Sequence, residues 1–402
     1  MSDQANNRRA GLLLAVVMAG SMLGMSGTDM MLPAIPAFAD LFNSTAQNGQ
    51  LVIATYGAGV TLGLLLFGFL TGRFKRVTLL LVAFTGFTVA AAFIAQSTNV
   101  LLILCARFGQ GLCAAAAPVY AAGLIRSIFD DEAAGKVIGA LGSLESLAPA
   151  FAPLLGVWIY AQQGWGGWSG MFWVMAGLGA LLMIITFTYR LGEPSQAPRV
   201  APQKMAGYFT LLRDPTYLRY AVATGAGLAG LITIVAAAPA VIVNAMGGTS
   251  AQFIAMQIIG IAGFIAAANT APRIAPRFGR ERVIYWGVVM CLLAAIAMVV
   301  YALMGGRDPI ILIILFFPMN VGLGLRGPLV FLAAIQSAFG SDDKASSLMM
   351  IISLALSAGA TALVAPFIES GLIAPAIAAT ILQAATLAAL IFLPPLVLND
   401  DA

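Results

Sequence analysis

The chain has 402 residues, of which 61% are hydrophobic and 9% are charged, and its formal net charge is +4. Soluble domains average about 45–50% apolar and about 25% charged residues, so this composition excludes a water-soluble fold. A transmembrane β-barrel is excluded as well, because its strands alternate apolar and polar residues whereas this chain has continuous apolar runs. The sequence therefore predicts an all-α integral membrane protein.

The residue types also limit the chemistry. The chain contains no histidine, which excludes histidine-based catalysis and histidine-ligated metal or haem sites. Three cysteines, Cys105, Cys113 and Cys291, lie inside apolar runs without CxxC spacing, so we expect small buried hydrophobes rather than a disulfide or zinc site. We predict neither an enzyme nor a bound cofactor.

Twelve apolar segments are each long enough to cross a bilayer, which requires about 20 residues. The first follows Arg8 and Arg9 and is too long for the apolar core of a signal peptide, so we expect it to stay as a spanning helix. The predicted spans are residues 10–36, 48–72, 77–96, 99–126, 134–160, 168–190, 218–245, 250–272, 282–304, 309–337, 344–369 and 372–396.

The basic residues alternate between connections. Seventeen of the 20 lysines and arginines lie at the amino terminus and in every second connection, which by the positive-inside rule places both termini in the cytoplasm. The basic surplus therefore reports topology, and we expect no nucleic-acid partner. The longest polar stretch, 191–217, is predicted to be a cytoplasmic linker between residues 1–190 and 218–402, with a short surface helix near Met205–Leu212.

The two parts of the chain repeat each other. The basic loop around Arg73 recurs around Arg277, 204 residues later, and the loop around Phe129 recurs around Phe339, 210 residues later. Two similar offsets predict a parallel duplication, with two six-helix bundles related by pseudo-two-fold symmetry. In such proteins the substrate site lies between the bundles near the midplane.

Four charged residues lie well inside the predicted spans, at a cost of about 2.5–3.5 kcal/mol each by insertion scales. They are Asp29, Arg107, Glu145 and Arg326. Asp29 and Arg107 both fall roughly 10–12 Å below the outer boundary, from a rise of about 1.5 Å per residue, which permits an ion pair. Burial disfavours a charged carboxylate and a nearby cation favours it, so Asp29 is a candidate proton carrier. The alternative is a fixed pair that only locks helices one and four.

Glu145 and Arg326 are both predicted near mid-depth. The face of Glu145 is expected to continue through Pro149, Pro153 and Gly156, and Arg326 lies in a glycine-rich stretch that favours a broken or closely packed helix. Glu145 is a candidate second proton site, or a partner of Arg326 in one conformation. For each, the alternative is a charge satisfied by neighbouring backbone or serine groups.

The stretch Thr28–Pro36, TDMMLPAIP, resembles the first-helix signature of the drug:proton antiporters of the bicyclomycin/chloramphenicol-resistance type, within the major facilitator superfamily. The resemblance covers nearly the whole chain and implies the twelve-helix major facilitator fold. It also implies that Asp29 takes the proton and influences the recognition of cationic substrates.

Three further stretches resemble family motifs. The loop from Gly68 to Arg76, which includes Arg73, resembles the superfamily loop that latches the halves, but its usual acidic residue is Gly72 here. Arg73 and Arg76 could then pair with acidic residues at 130–132, or the loop could act only as a topology signal. The helix-four motif is Arg107 with Gln110 and Gly111, and it implies that Arg107 takes part in proton coupling. The helix-five motif contains Pro149, Pro153 and Gly156 and implies a seal against proton leak that is typical of exporters, although it lacks a Gly-Pro pair; the alternative is an ordinary kinked helix.

The resemblance implies proton-coupled efflux of small drug-like molecules by a monomer in the bacterial inner membrane, driven by the proton gradient. The alternative is a proton-linked importer or exporter of one metabolite, such as a siderophore, sugar or amino acid. A membrane enzyme is disfavoured by the lack of histidine and of acidic clusters at a membrane face. A receptor would normally add an extramembrane domain. The candidates for lining a substrate cavity are Met22, Met25, Met31, Tyr56, Asn244 and Asn320, together with Asp29 and Arg326.

Overall fold

The computed structural model describes residues 2–31, 34–35, 38–44, 46–162, 167–188, 207–338 and 340–396. These residues form twelve long helices. They are α1 (Ser2–Asp29), α2 (Ala46–Leu70), α3 (Arg76–Gln96), α4 (Val100–Ala114 and Ala116–Ile128), α5 (Asp131–Ala161), α6 (Trp168–Thr188), α7 (Pro215–Ala240), α8 (Ser250–Phe278), α9 (Arg280–Leu303), α10 (Pro309–Gln336), α11 (Asp342–Val364) and α12 (Ile373–Phe392). Eleven are long and apolar enough to cross a membrane, and α5 contributes the shorter apolar stretch Phe151–Ala161. The predicted all-α membrane fold is confirmed.

Two helices, α1 and α8, end furthest from their predicted spans. Helix α1 ends at Asp29 instead of continuing to 36, and Met30 and Met31 form a turn, because a residue before proline avoids helical geometry and the sequence places Pro33 and Pro36 there. Helix α8 continues past 272 to Phe278 although it contains two prolines. Membrane helices tolerate proline where neighbouring groups satisfy the freed carbonyls.

Polar side chains start several helices. The carboxylate of Asp214 accepts hydrogen bonds from the Thr216 and Tyr217 amides at the start of α7, with proline at the first helical position. Asp308 caps α10 in the same way, and Thr249 with Gln252 forms a capping box on α8. The surface helix predicted near the linker is present as Tyr208–Leu211, while residues 189–206, with most of the linker, lie outside the described residues.

Left-handed glycines turn the two basic loops. Gly72 has φ +81° after α2, and Gly279 has φ +89° between α8 and α9. Glycine adopts this conformation without steric cost, so it suits both positions. The two glycines are 207 residues apart, which aligns Arg73 with Arg280 instead of the predicted Arg277 and keeps an offset between the predicted 204 and 210.

The chain forms two compact units. Unit 1 contains Met1–Phe129 and Leu144–Ala201, and unit 2 contains Asp130–Ser143 and Pro202–Ala402. Helix α5 is unbroken, yet its first part belongs to unit 2 and its remainder to unit 1. The predicted division at 190 and 218 stays a prediction.

Glycines bring the helices of unit 1 close together. Helix α2 packs on α4, and α3 packs on α4 and α6. A Cβ atom at Gly59 or Gly63 would meet the backbone of α4, and one at Gly111 would meet the backbone of Tyr56. Such small residues permit the close approach by which membrane helices gain packing energy.

In unit 2, α10 packs on both α8 and α9, and α7 packs on α11 and α12. The core contains Ile234, Met256, Met298, Phe316 and Met319, which are almost completely buried. Helix α7 continues into a π-helical turn, Val241–Ala245, just after Pro239. A proline removes one helical hydrogen bond, which accounts for the altered winding.

Candidate functional site

The predicted Arg107 site lies in the interior of unit 1. The guanidinium is 0% exposed and donates to the carbonyls of Gly27 and Val52, at 3.1 and 3.3 Å. It also donates to Oε1 of Gln110, one helical turn along α4, at 2.8 Å. The buried positive charge is therefore stabilised by carbonyl oxygens of α1 and α2 and by the side-chain amide of Gln110 on its own helix.

Aromatic rings fix the orientation of the Arg107 guanidinium. Its central carbon lies 4.2 Å from the ring centre of Tyr56 and 5.6 Å from that of Phe172, within the range of cation–π attraction. Tyr56 is itself held, because its hydroxyl donates to the Gly24 carbonyl of α1. The ring of Tyr56 thus supports Arg107 from within the bundle and is 3% exposed.

Asp29 lies at the last residue of α1, close to this cluster. Arg107 binds the carbonyl of Gly27, two residues before Asp29, so the two charged groups lie at the similar depth that their positions predict. Among the described residues, however, no ion pair within 4 Å joins them. The Nε and Nη1 donors of Arg107 bind carbonyl oxygens and Gln110 instead, whereas its Nη2 atom has no hydrogen-bond partner. The Asp29 carboxylate is half-buried and is not neutralised by Arg107.

Glu145 faces α1. It lies next to the Ser21 hydroxyl, which is 1% exposed, although the two groups do not meet hydrogen-bond geometry. The buried face of α5 continues from Glu145 through Ala148, Ala152 and Gly156, at spacings of 3, 4 and 4 residues.

The buried face of α5 differs from the predicted face, which ran through Pro149 and Pro153. Pro153 is half-buried and lies to one side, and the side chain of Pro149 lies outside the described residues. Gly156 does lie against α1, because a Cβ atom there would overlap the Met30 carbonyl at the end of α1. The α1–α5 seam therefore runs from Ser21 beside Glu145 to Met30 beside Gly156.

Arg326 lies in the interior of unit 2. It is 1% exposed, and its Nη1 atom donates to the Ala223 carbonyl of α7 at 2.6 Å. The side chain packs against Gly227 and Gly287, where any added Cβ atom would overlap it. Its Nε and Nη2 atoms have no hydrogen-bond partner. Arg326 is thus bound by a backbone carbonyl, as in the alternative that the sequence left open for this residue.

The predicted lining residues divide by exposure. Met25 is 45% exposed and Asn244 is exposed, whereas Asn320 is 5% exposed and donates to the Phe316 carbonyl of its own helix. Met22 is half-buried, and Met31 is buried. Met25 and Asn244 are the exposed members of this set.

The basic loop after α2 lies at the surface. Arg73 is exposed and stacks on the ring of Phe69 with 4.0 Å between its central carbon and the ring centre. Gly68 is buried, and Arg76 is half-buried. The acidic residue Glu132 pairs with Lys136 within α5 at 2.6 Å. Pairing of the loop arginines with residues 130–132 stays a prediction.

Two polar contacts were not foreseen from the sequence. Asn269 of α8 donates to the hydroxyl of Ser143 of α5 at 2.7 Å, within unit 2. Ser21 was not foreseen either. The sequence did offer one signal, because Ser21 and Asn269 are polar residues within apolar spans. Polar side chains in membrane helices often form hydrogen bonds with a neighbouring helix. In the described part of the chain, no group of three or more cysteine and acidic side chains could hold a metal ion.

The described helices define a multi-pass membrane protein with charged residues buried inside its spans. The sequence profile of the Major Facilitator Superfamily matches residues 14–363. The chain therefore belongs to the major facilitator superfamily, as the motifs suggested.

Known proteins agree with this assignment. The chain is 27% identical to the chloramphenicol resistance protein of Pseudomonas aeruginosa over 274 residues, which cover 68% of this chain and 64% of that protein. It is 28% identical to multidrug resistance protein MdtL of Escherichia coli O45:K1 over 227 residues, 56% of this chain and 57% of that protein. The matched regions span less than two thirds of these relatives.

A solved structure shares the fold. The transporter FucP of the same superfamily, in its outward conformation, superposes with a TM-score of 0.70 over 95% of this chain and 99% of that chain. Its sequence identity is 13%, so the likeness concerns the fold alone. The predicted major facilitator fold is confirmed.

Proposed function

We propose that this protein exports small lipophilic or drug-like molecules in exchange for protons, by alternating access. The observation that carries the proposal concerns two charged groups in unit 1. One is the Asp29 carboxylate, which forms no ion pair with an arginine in the described part of the chain, and the other is the nearby buried Arg107, which carbonyls hold in place. The names of the relatives, a chloramphenicol resistance protein and a multidrug resistance protein, support export of drug-like compounds.

Antiport requires that proton and substrate compete for one site. A carboxylate that an ion pair does not hold ionised can gain and lose a proton as its surroundings change. In the proposed cycle, Asp29 releases its proton to the cytoplasm when the substrate binds from that side. It is protonated again from the outside as the substrate leaves. By linkage, the affinity for each ligand falls when the other is bound.

Arg107 acts through its fixed charge. Its three acceptors and the Tyr56 ring hold the guanidinium in one place, so the charge stays near Asp29 without neutralising it. Such a cation favours loss of the proton from Asp29 when water reaches the site. Gln110 is the positioning residue for Arg107.

Glu145 is proposed as a second proton-carrying group. It lies in the α1–α5 seam, and α1 also carries Asp29, eight residues or about 12 Å beyond Ser21 along the helix. The close packing at Gly156 supports the proposed role of this seam as a barrier to proton leak. Pairing of Glu145 with Arg326 stays a prediction.

The remaining parts of the proposal concern the oligomeric state, the membrane, the substrate contacts and the energy source. The protein is proposed to work as a monomer in the bacterial inner membrane with both termini in the cytoplasm, because the basic residues favour that topology. Substrate contacts are proposed for Asp29, Met25 and Asn244, with Tyr56, Asn320 and Arg326 as further members that are buried in this structure. The energy source is the proton gradient, without a cofactor.

The test is the direction of flux under an imposed pH gradient. Purified protein in liposomes, with chloramphenicol and a panel of chemically varied lipophilic compounds as probes, is expected to move the drug against the direction of proton flow. A protonophore should abolish this accumulation. Co-directional movement of drug and proton, or transport of a single metabolite and no drug, would instead establish the alternative of a dedicated metabolite transporter.

A further inference from the structure

Exposed arginines collect at the α8–α9 turn, residues 273–286. Arg273 and Arg277 lie one helical turn apart near the end of α8, and Arg282 lies in the first turn of α9. All three side chains are exposed, and in the parts of the chain that the structure describes no ion pair within 4 Å joins them to a carboxylate. The helices are joined by the single residue Gly279, so the arginines of both helices stay near one turn of unit 2.

The acidic residue of this turn is already engaged. Glu281 is the only aspartate or glutamate between Asp214 and Asp308 in the sequence. Its Oε2 atom lies 2.6 Å from Nη2 of the buried Arg219, and its Oε1 atom accepts a hydrogen bond from the Tyr220 hydroxyl at 2.7 Å. The positive charge of the exposed arginines is therefore not balanced within the turn, which favours the binding of an anion from outside the chain.

Two exposed aromatic rings adjoin the arginines. The guanidinium carbon of Arg277 lies 5.5 Å from the centre of the Phe278 ring, within the range of cation–π attraction. The Phe278 ring centre lies 5.4 Å from that of Trp286 on α9. Phe278 is 40% exposed and Trp286 is 46% exposed, and exposed apolar groups with a polar rim mark interaction sites. Tryptophan is enriched where the membrane meets water, so this pair fits that interface.

The spacing along α9 fits the layers of a bilayer. Exposed apolar side chains form one face of the helix at intervals of three and four residues, and they are Trp286, Val289, Leu293, Ile296 and Val300. The 17 residues from Trp286 to the end of α9 span about 26 Å, close to the roughly 30 Å of the hydrocarbon layer. Arg282 lies about 6 Å beyond Trp286 in the other direction, which places it in a headgroup layer about 5–8 Å deep.

We propose that the α8–α9 turn binds the phosphate headgroup of an anionic phospholipid, with Arg277 and Arg282 as the phosphate-binding residues. A guanidinium binds phosphate oxygens through paired hydrogen bonds and can stack on an aromatic ring at the same time. The acyl chains lie along the apolar face of α9, and Trp286 lies at the boundary between headgroups and chains. This apolar face continues directly from the arginines, which favours a lipid over a soluble anion.

The predicted topology agrees with such a ligand. The basic connections, including the α8–α9 turn, are predicted to face the cytoplasm, where the leaflet carries anionic lipid and each arginine near its surface contributes about 1 kcal/mol of attraction. The proposed site lies wholly in unit 2 and involves neither Asp29 nor Arg107. It therefore does not depend on the proposed transport function.

The first experiment compares two lipids on the unaltered protein. Brominated phosphatidylglycerol or brominated phosphatidylcholine is titrated into the full chain in detergent micelles, and the quenching of tryptophan fluorescence that Trp286→Phe abolishes is assigned to Trp286. Half-maximal quenching of this component is expected at a phosphatidylglycerol mole fraction at least fivefold below that for phosphatidylcholine. Equal mole fractions would overturn the proposal, because Trp286 would then contact only bulk lipid. This comparison leaves the arginines in place, so it decides the proposal even if an arginine variant folds poorly.

The second experiment removes the arginines. Arg277→Ala and Arg282→Ala are each expected to raise the phosphatidylglycerol mole fraction for half-maximal quenching of Trp286 about fivefold, the factor to which about 1 kcal/mol corresponds, and the double variant about 25-fold. Arg307→Ala is the matched control, because Arg307 is exposed in the connection at the other end of α9, and it should leave the value unchanged. Unchanged values in both variants at the turn, or an equal rise in the control, would overturn the proposal.

A third measurement distinguishes a lipid from a soluble phosphate compound. Glycerol phosphate is added at the same concentration as the brominated phosphatidylglycerol, and it should not relieve the quenching because it has no acyl chains to bind α9. Full relief would assign the turn to a soluble phosphate compound and overturn the lipid site. If the protein moves no drug, the proposed function fails, whereas the quenching still decides the lipid site.

Discussion

Asp29→Asn separates proton coupling from folding. The substitution keeps the shape of the side chain and removes only its ability to release a proton. We expect drug/proton exchange to lose its dependence on the pH gradient while the protein still inserts and folds. The physical reason is that an amide cannot alternate between charged and neutral forms, so proton and substrate no longer compete.

The structure sets the expected effect on stability. Removing one partner of a buried ion pair costs about 3–5 kcal/mol, because the other charge is left uncompensated. Arg107 is bound by the carbonyls of Gly27 and Val52 and by Gln110, so loss of the Asp29 charge breaks no such pair. Burying a charge in a membrane span costs about 2.5–3.5 kcal/mol at the centre and less toward the end, where Asp29 lies. The variant should therefore be as stable as the wild type or more stable.

Two measurements on one preparation test this reasoning. Thermal unfolding in detergent should give a midpoint at or above that of the wild type, and proteoliposomes should show no acceleration of drug flux by an imposed pH gradient. Asp40→Asn is the control, because Asp40 is exposed and lies outside the spans, and it should behave as the wild type in both assays. A midpoint lowered by several degrees would show that Asp29 does pair with Arg107. Normal pH-driven exchange would remove Asp29 from the mechanism.

Three further predictions concern the rest of the molecule. Arg107→Lys should slow drug/proton exchange at least tenfold, because an ammonium cannot reach the three acceptors that the planar guanidinium binds. Flux in proteoliposomes measures this rate. A normal rate would show that Arg107 has only a packing role. Gly156→Leu should open a passive proton leak, which a pH-sensitive dye detects in drug-free liposomes. Gly177→Leu is the control and should open no leak, since no described atom would lie within 4 Å of a Cβ atom at that glycine. Equal leaks in the two variants would contradict the proposed proton barrier between α1 and α5. Glu281→Ala should lower the free energy of unfolding by about 1–3 kcal/mol, because it removes the carboxylate that lies 2.6 Å from Nη2 of the buried Arg219. An unchanged melting midpoint would contradict this expectation.

The sequence alone determined the class of the protein and most of its helices. Hydrophobicity adds up residue by residue along the chain, so the twelve apolar runs report the spans without knowledge of their neighbours. The same local logic located Asp29 and Arg107, because a charge inside an apolar run is visible in the sequence and its depth follows from the helical rise. The end of α1 was predicted wrongly at 36, although the prolines at 33 and 36 were a local signal for an earlier end.

The tertiary structure decided which groups meet. Positions three and four residues apart both lie near one face of a helix, so the spacing allowed the face of Glu145 to run through Pro153, whereas the residues buried in the structure are Ala148 and Ala152. Equal depth permitted a pair between Asp29 and Arg107, but the carbonyls of Gly27 and Val52 lie nearer to the guanidinium donors. The contact between Ser143 and Asn269 joins residues 126 positions apart. Pairing of this kind depends on how each helix is rotated and on which helices become its neighbours, and neither quantity is a property of a single segment.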